Sequence, residues 1–262
     1  MDLGLSGRTA LVAGGSAGIG KAIAAVLAQE GAKVAIISRS KKNLDEATRQ
    51  ITSIAAKSAF PFVCDVTKKS QIEATVKRIE AKLGVVSILI CNAGGPPLKR
   101  FEQIGDREWD DAYNLNLKST IRLVAAVLPK MKAQKWGRII SITSISALQA
   151  SESLMLSSAI RPGVHGLTKA LSNELAPFGI TANVICPGYT STERLNELAD
   201  AVSNATGLSH AKVYAQWKSN VPAGRLAKPE EIGYLAAFIA SDKAAYLTGV
   251  ALNIDGGFVK TI

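Results

Sequence analysis

Short continuous runs of apolar, β-prone residues recur at 10–12, 34–37, 60–63, 85–90, 138–142, 182–185 and 250–254. Between them apolar residues repeat at helical spacing, as in Ile19, Ile23, Val26 and Leu27, then Leu44, Ala47 and Ile51, then Ile72, Val76, Ile79 and Leu83. The same spacing returns in Ile121, Val124, Leu128 and Met131, in Val164, Leu167, Leu171 and Leu175, and in Ile232, Leu235 and Ile239. Strand and helix signals alternate throughout. The strand runs do not alternate apolar with polar, so both of their faces need cover, as in a parallel sheet between two helical layers. The pattern predicts an α/β fold with a seven-stranded, mostly parallel, doubly wound sheet. No linker or low-complexity stretch interrupts it, and residues 1–262 read as a single domain.

Such a Rossmann-type sheet binds ligands beyond the carboxyl ends of its strands. The residues that follow each apolar run therefore matter most. After the first run comes Gly14-Gly15-Ser16-Ala17-Gly18-Ile19-Gly20, which leads into a helical pattern. Glycines there let the backbone approach a pyrophosphate whose charge suits the helix start, so Gly14, Ser16, Gly18, Ile19 and Gly20 are cofactor-binding candidates. Gly15 to Lys21 also fits the NTPase phosphate loop, but residue 22 is Ala, without the hydroxyl that would hold magnesium. The second run ends at Ser38-Arg39, with Lys41 and Lys42 beyond, where NAD-binding chains offer an acid to the ribose. Arg39 favours NADP(H) over NAD(H), because a guanidinium accommodates the 2′-phosphate.

Charge adds one feature to an ordinary composition of 47% hydrophobic and 20% charged residues. The 31 Lys and Arg against 21 Asp and Glu leave a net charge of +10, all of it within residues 1–145. A basic balance invites a nucleic-acid reading, but the charges are scattered over helical segments with no run of five. The expectation is no nucleic-acid partner and a basic mouth for an anionic cofactor. No run approaches the roughly 20 apolar residues of a membrane span, and the first ten residues lack a signal-peptide profile, so no membrane partner and a cytoplasmic location are expected. Two histidines and three widely spaced cysteines, Cys64, Cys91 and Cys186, offer no metal cluster, and the cysteines read as small packing residues.

The set GGSAGIG at 14–20, Asp65, Asn92-Ala93-Gly94-Gly95, Asn116 in NLNLKS, Ser144 in GRIISITS, Pro187-Gly188 and NIDGG at 253–257 resembles the short-chain dehydrogenase/reductase family. The segment from His165, HGLTKALSNELAPFGITANVICPG, is most similar to the 3-oxoacyl-[acyl-carrier-protein] reductase branch. The resemblance implies a nicotinamide cofactor, a small carbonyl or alcohol substrate and a homotetramer. It also implies that Asp65 and Val66 border the adenine, that Asn92, Ala93 and Gly94 line the cleft, and that Pro187 and Gly188 flank the nicotinamide. The longer stretch at 190–228, with Leu195, Leu198, Val202, Val213 and Trp217, would close over the substrate, although core packing explains its spacing equally.

The resemblance breaks at the catalytic group. Asn116 and Ser144 are present, but Ser157 and Arg161 stand where the family has its proton-donating Tyr and the Lys four residues beyond. A phenol of pKa about 10 can be tuned toward neutrality, whereas an aliphatic hydroxyl is a far weaker acid and Arg does not relay protons. Tyr189, His165, Glu152 or a bound water polarised by Ser144 are the substitutes to weigh. Pro162 lacks an N–H and disfavours helical geometry before it, so the helix is expected to start late or to be distorted around 161. The expected activity is NADP(H)-dependent hydride transfer between nicotinamide and a carbonyl or alcohol, a 3-oxoacyl-type substrate being one candidate, with atypical proton transfer. The alternative is a catalytically silent NADP(H)-binding protein acting as sensor or oligomer partner.

Overall fold

The computed structural model describes residues 1–56 and 58–260. The strands are β1 (Thr9–Ala13), β2 (Lys33–Ser38), β3 (Ala59–Val63), β4 (Val86–Cys91), β5 (Gly137–Ile142), β6 (Ile180–Pro187) and β7 (Ala251–Ile254). They form one sheet in the order β3-β2-β1-β4-β5-β6-β7, and every adjacent pair is parallel. All seven apolar runs are strands, within a residue or two of their sequence limits. Helices α1 (Gly18–Gln29), α2 (Lys41–Ile54), α3 (Lys69–Leu83), α4 (Asp106–Tyr113), α5 (Ser119–Gln134), α6 (Met155–Leu175), α7 (Glu193–Thr206), α8 (His210–Asn220) and α9 (Pro229–Ala240) connect and cover them. Among the described residues no helix is long and apolar enough to cross a membrane.

Alternate strand residues feed two cores, which is why the strands carry no polar face. Val12, Ile36, Ile90 and Ile140 meet Ile23, Leu27, Ile51 and Ile239 from α1, α2 and α9 on one side. Leu11, Ile37, Leu89 and Ile139 meet Ile72, Ile79, Val124 and Val127 from α3 and α5 on the other. Pro61 is tolerated inside β3 because that strand is an edge. The chain winds outward from β1 to β3 and returns to place β4 on the opposite flank of β1, so the strand order reverses between β1 and β4. The ligand crevice of such a sheet opens at that switch point.

The expectation of a late or distorted α6 is wrong. The helix runs unbroken from Met155 to Leu175 with Pro162 inside it. An interior proline costs about 3 kcal/mol, and the packing of α6 outweighs that. Its inward stripe of Leu156, Ser157, Arg161, Val164, Thr168, Ser172 and Leu175 is buried, while Pro162 lies on the exposed face. Arg161, the residue a following proline would push out of helical geometry, is tied by its guanidinium to Ser157 one turn back and to the end of β5.

Candidate active site

The loop after β1 packs against the loop after β4 too closely for side chains. Gly14 has a φ of +60°, and a Cβ on it would sit 2.6 Å from Asn92 Nδ2. A Cβ on Gly20 would meet the Gly14 carbonyl oxygen at 2.2 Å. Asn92 Nδ2 donates to the Ala13 carbonyl at 3.2 Å and fastens the two strand ends together. The N-cap of α1 is Ala17, with no side-chain cap and no acid in the first turn, so the leading amides of that helix stay open. Ser16, Gly18 and Ile19 are half-buried beside them. The observed cradle has the form an anionic phosphate group needs.

Toward the sheet edge, Arg39 is exposed after β2, and Ser40 beside it caps α2 by accepting from Asn43 N. Asp65 follows β3, and its Oδ1 accepts from the Thr67 amide at 2.9 Å and the Thr67 hydroxyl at 2.7 Å. Burial pushes the Asp65 carboxyl up, but those bonds and the charges of Arg39 and Lys68 leave it below its usual value. Arg39 and Asp65 therefore share one corner. Val66 packs on the edge of the second core, and Ala93 and Gly94 continue the loop from Asn92. On the far flank Pro187 ends β6 and the Gly188 amide donates to the Ile254 carbonyl.

The catalytic candidates gather beyond β5, with a changed pairing. Ser144 begins a short 3₁₀ turn, its Oγ accepting from the Ser146 amide at 3.1 Å. Ser157, on α6, makes its hydroxyl contact with Ser146 Oγ at 2.8 Å, so Ser146 and not Ser144 is its partner. Arg161 Nε donates to Ser157 Oγ at 3.0 Å, and its Nη1 donates to the Ile142 carbonyl at 3.2 Å. Burial, and then the nearby Arg194, pull the Arg161 guanidinium down to about 10, which leaves it a cation at neutral pH. Asn116 lies in a π-helical segment, Asn114–Lys118, that joins α4 to α5 and packs on α6. Its Nδ2 donates to the Ala112 carbonyl, while its buried Oδ1 has no partner among the described residues.

The substitute proton donors fare unevenly. Tyr189 stacks on Trp217 at 5.3 Å and meets Phe258 edge-on, and burial raises its phenol above the usual value. Its ring is held in that aromatic cluster. His165 Nε2 lies 3.0 Å from Thr143 Oγ, and burial followed by the Arg161 charge lowers its pKa, so it is neutral at pH 7. Glu152 is exposed in a turn. The three cysteines are buried, with Cys91 pushed up to about 12 and the other two also raised, as packing residues should be.

Two site residues escaped the sequence reading. Ser146 sits two residues past Ser144, and nothing in spacing marks it. Arg194 opens α7, its Nη2 donating to the Pro96 carbonyl and its Nη1 paired with Glu197 at 2.9 Å. The 190–228 stretch forms α7 and α8, which pack on each other, and its ends are clipped together where Ser191 N donates to the Ala227 carbonyl and Ala227 N to that of Tyr189.

Residues 13–259 match the family described as enoyl-(acyl carrier protein) reductase. The 3-oxoacyl-[acyl-carrier-protein] reductase of Escherichia coli strain K12 is 36% identical over 97% of this chain and 98% of its own length. That of Thermotoga maritima is 33% identical over 97% and 99%. Among solved structures, a variant of actinorhodin polyketide ketoreductase with NADPH superposes with a TM-score of 0.94 at 32% identity, covering 97% of this chain and 98% of the other. L-sorbose reductase from Gluconobacter frateurii, complexed with NADPH and L-sorbose, gives 0.94 at 29% identity over the whole of both chains. The chain belongs to the short-chain dehydrogenase/reductase family and is similar to its 3-oxoacyl reductase branch.

Proposed function

We propose that the chain is an NADP(H)-dependent oxidoreductase that reduces a carbonyl, or oxidises the corresponding alcohol, without the family's Tyr and Lys. The observation that carries the cofactor half is the side-chain-free cradle of Gly14, Gly18 and Gly20 under the open start of α1. Bound NADPH supplies the hydride. Gly14, Ser16, Gly18, Ile19 and Gly20 hold the pyrophosphate, Arg39 the 2′-phosphate, Asp65 and Val66 the adenine, and Asn92, Ala93, Gly94, Pro187 and Gly188 the nicotinamide half. NADPH-bound relatives of the same backbone support that assignment. Because a Gly20 Cβ would collide with the Gly14 backbone, Gly20→Ala is expected to cost about 1–3 kcal/mol of stability and to abolish measurable NADPH binding in a fluorescence titration. Arg39→Asp is expected to weaken NADPH binding about 10- to 100-fold, the worth of a charge-assisted bond, with NADH affinity held or improved. Equal losses for both cofactors would remove Arg39 from the phosphate site.

In the catalytic half, Ser144 and Asn116 position and polarise the substrate, and the Ser146–Ser157 pair, ordered by Arg161, passes a hydrogen bond to the reacting oxygen. Water is then the proton source. Lacking a positioned acid that ordinarily contributes about 10²–10⁴-fold, turnover is slow. The second reading, a silent NADP(H)-binding protein, is favoured by Ser157 and Arg161 themselves. NADPH oxidation against a carbonyl panel decides: any carbonyl-dependent turnover supports the enzyme, and tight NADPH binding with none supports the silent protein. We also assign a homotetramer, since the edge strand β7 keeps its faces half-open and the large side chains of Tyr234 and Phe238 on α9 and of Tyr246 are exposed. The 190–228 segment acts as the substrate lid of one domain.

A further inference from the structure

Among the described residues two arginines are buried, and their surroundings differ. Arg138, 2% exposed, stands in β5 with its guanidinium on the Ser241 and Gly179 carbonyls and paired with Asp242 Oδ1 at 3.3 Å. That is the usual arrangement, because a buried charge without a counter-charge is costly. Arg161, 7% exposed, has Ser157 and the Ile142 carbonyl but no carboxylate among the described residues. Its Nη2 makes no hydrogen bond within them.

The charged group facing it is a second cation. Arg194 Nε and Nη2 and Arg161 Nη2 all lie within 4 Å of the point where a Cβ on Gly95 would sit. Gly95 has no side chain to fill that place. The two guanidinium groups thus converge over a bare backbone position, at the carboxyl end of β4, with Arg194 Nε and Arg161 Nη2 as the donors left over. Arg194 is about a third exposed and has Glu197 on its outer side, but no carboxylate among the described residues pairs with Arg161, so the two cations repel unless an anion enters between them, and a guanidinium matches a carboxylate in geometry as well as charge.

We propose that the substrate carries a carboxylate, held between Arg161 and Arg194 over Gly95, so that the chain acts on an oxo acid and not on a neutral ketone or thioester. The inference rests on the reductase reading above and names its substrate class. The cofactor's phosphates are the other anions at hand, but they have donors of their own in the α1 amides and Arg39. Arg161 hangs instead from α6 beside Ser157 and the end of β5, where the reacting carbonyl belongs. Arg194, from the lid, would then couple lid position to the presence of an anionic substrate.

The test compares kcat/KM, at saturating NADPH, for acetoacetate and 2-oxobutyrate with their methyl esters. The acids are expected to be preferred by about tenfold or more, and Arg194→Met is expected to collapse that preference chiefly through KM. A binding arm titrates oxamate, an unreducible mimic of a 2-oxo acid, into the NADPH complex. Oxamate should bind the natural chain and about tenfold more weakly to Arg194→Met, while NADPH affinity of the variant stays within about twofold. Esters used as well as acids, or no oxamate binding to an intact NADPH complex, overturn the proposal and leave the cofactor reading standing. A tenfold loss of NADPH affinity in Arg194→Met hands the arginine pair to a cofactor phosphate and overturns it too. A chain that binds no NADPH brings down both readings.

Discussion

Replacing Ser157 by Tyr together with Arg161 by Lys is expected to raise NADPH-dependent reduction of a neutral ketone, such as methyl acetoacetate, by about 10²–10⁴-fold, the range a positioned general acid contributes. The backbone is already in place for the change. It superposes on a ketoreductase with a TM-score of 0.94, and α6 runs as unbroken helix through both positions. A phenol at position 157 would stand one helical turn from an ammonium at position 161, and a neighbouring cation lowers a phenol's pKa from about 10 toward neutrality. The single substitutions are expected to gain much less. Ser157→Tyr alone leaves the new phenol beside Arg161, a fixed charge that cannot relay a proton, and Arg161→Lys alone leaves the new ammonium beside Ser157, with no acid to tune. A double variant that binds NADPH as the natural chain does yet reduces the ketone no faster would show that the missing side chains are not what limits this site.

The second large effect is on stability, and its sign is unusual. Arg161→Met is expected to stabilise the ligand-free protein. The substitution gives up two hydrogen bonds, to Ser157 and to the Ile142 carbonyl, each worth about 1 kcal/mol. It also removes a buried, unpaired charge, and replacing buried charge with an apolar side chain of similar volume is commonly neutral or stabilising by about 1–4 kcal/mol. Set against the roughly 2 kcal/mol of lost bonds, this leaves a gain of up to about 2 kcal/mol, a melting temperature raised by up to about 8 °C for a chain of this size, with loss of oxamate binding. The pKa of about 10 points the same way. Because the folded-state value lies below the ordinary 12.5, the folded chain holds that proton less tightly than the unfolded chain, and the penalty is present at every pH below about 10. A melting temperature lowered by several degrees at pH 7 would mean that Arg161 is a structural residue, held for its bonds.

Much of this was legible in the residues, and the limits have physical causes. The seven strands announced themselves as continuous apolar runs because both faces of each are buried, and a run such as 85–90 has no competing helical reading once its flanks are counted. The glycine cradle was legible because Gly14 and Gly20 are demanded by backbone approach, which leaves no choice of residue. Pro162 misled because local propensity was read without the packing that overrides it: the period at Val164, Leu167, Leu171 and Leu175 was visible, but not the buried stripe that begins earlier, at Leu156, Ser157 and Arg161. Ser146 and Arg194 were hidden for another reason. Their roles come from tertiary neighbours, Ser157 across the 3₁₀ turn and Arg161 across Gly95, and no spacing along the chain encodes those meetings. The one available sign was that Arg161 stands where the family has its lysine.

If Arg161 is kept charged and buried for an anionic substrate, then the stability of the ligand-free chain and its stabilisation by ligand should move in opposite directions when the charge is removed. The most direct test is the melting temperature of the natural chain and of Arg161→Met, each alone and each with saturating NADPH and oxamate. The prediction is a crossing, with the variant melting higher alone and the natural chain gaining more from the two ligands together. A natural chain that melts higher alone and gains the same from the ligands as Arg161→Met would contradict the account.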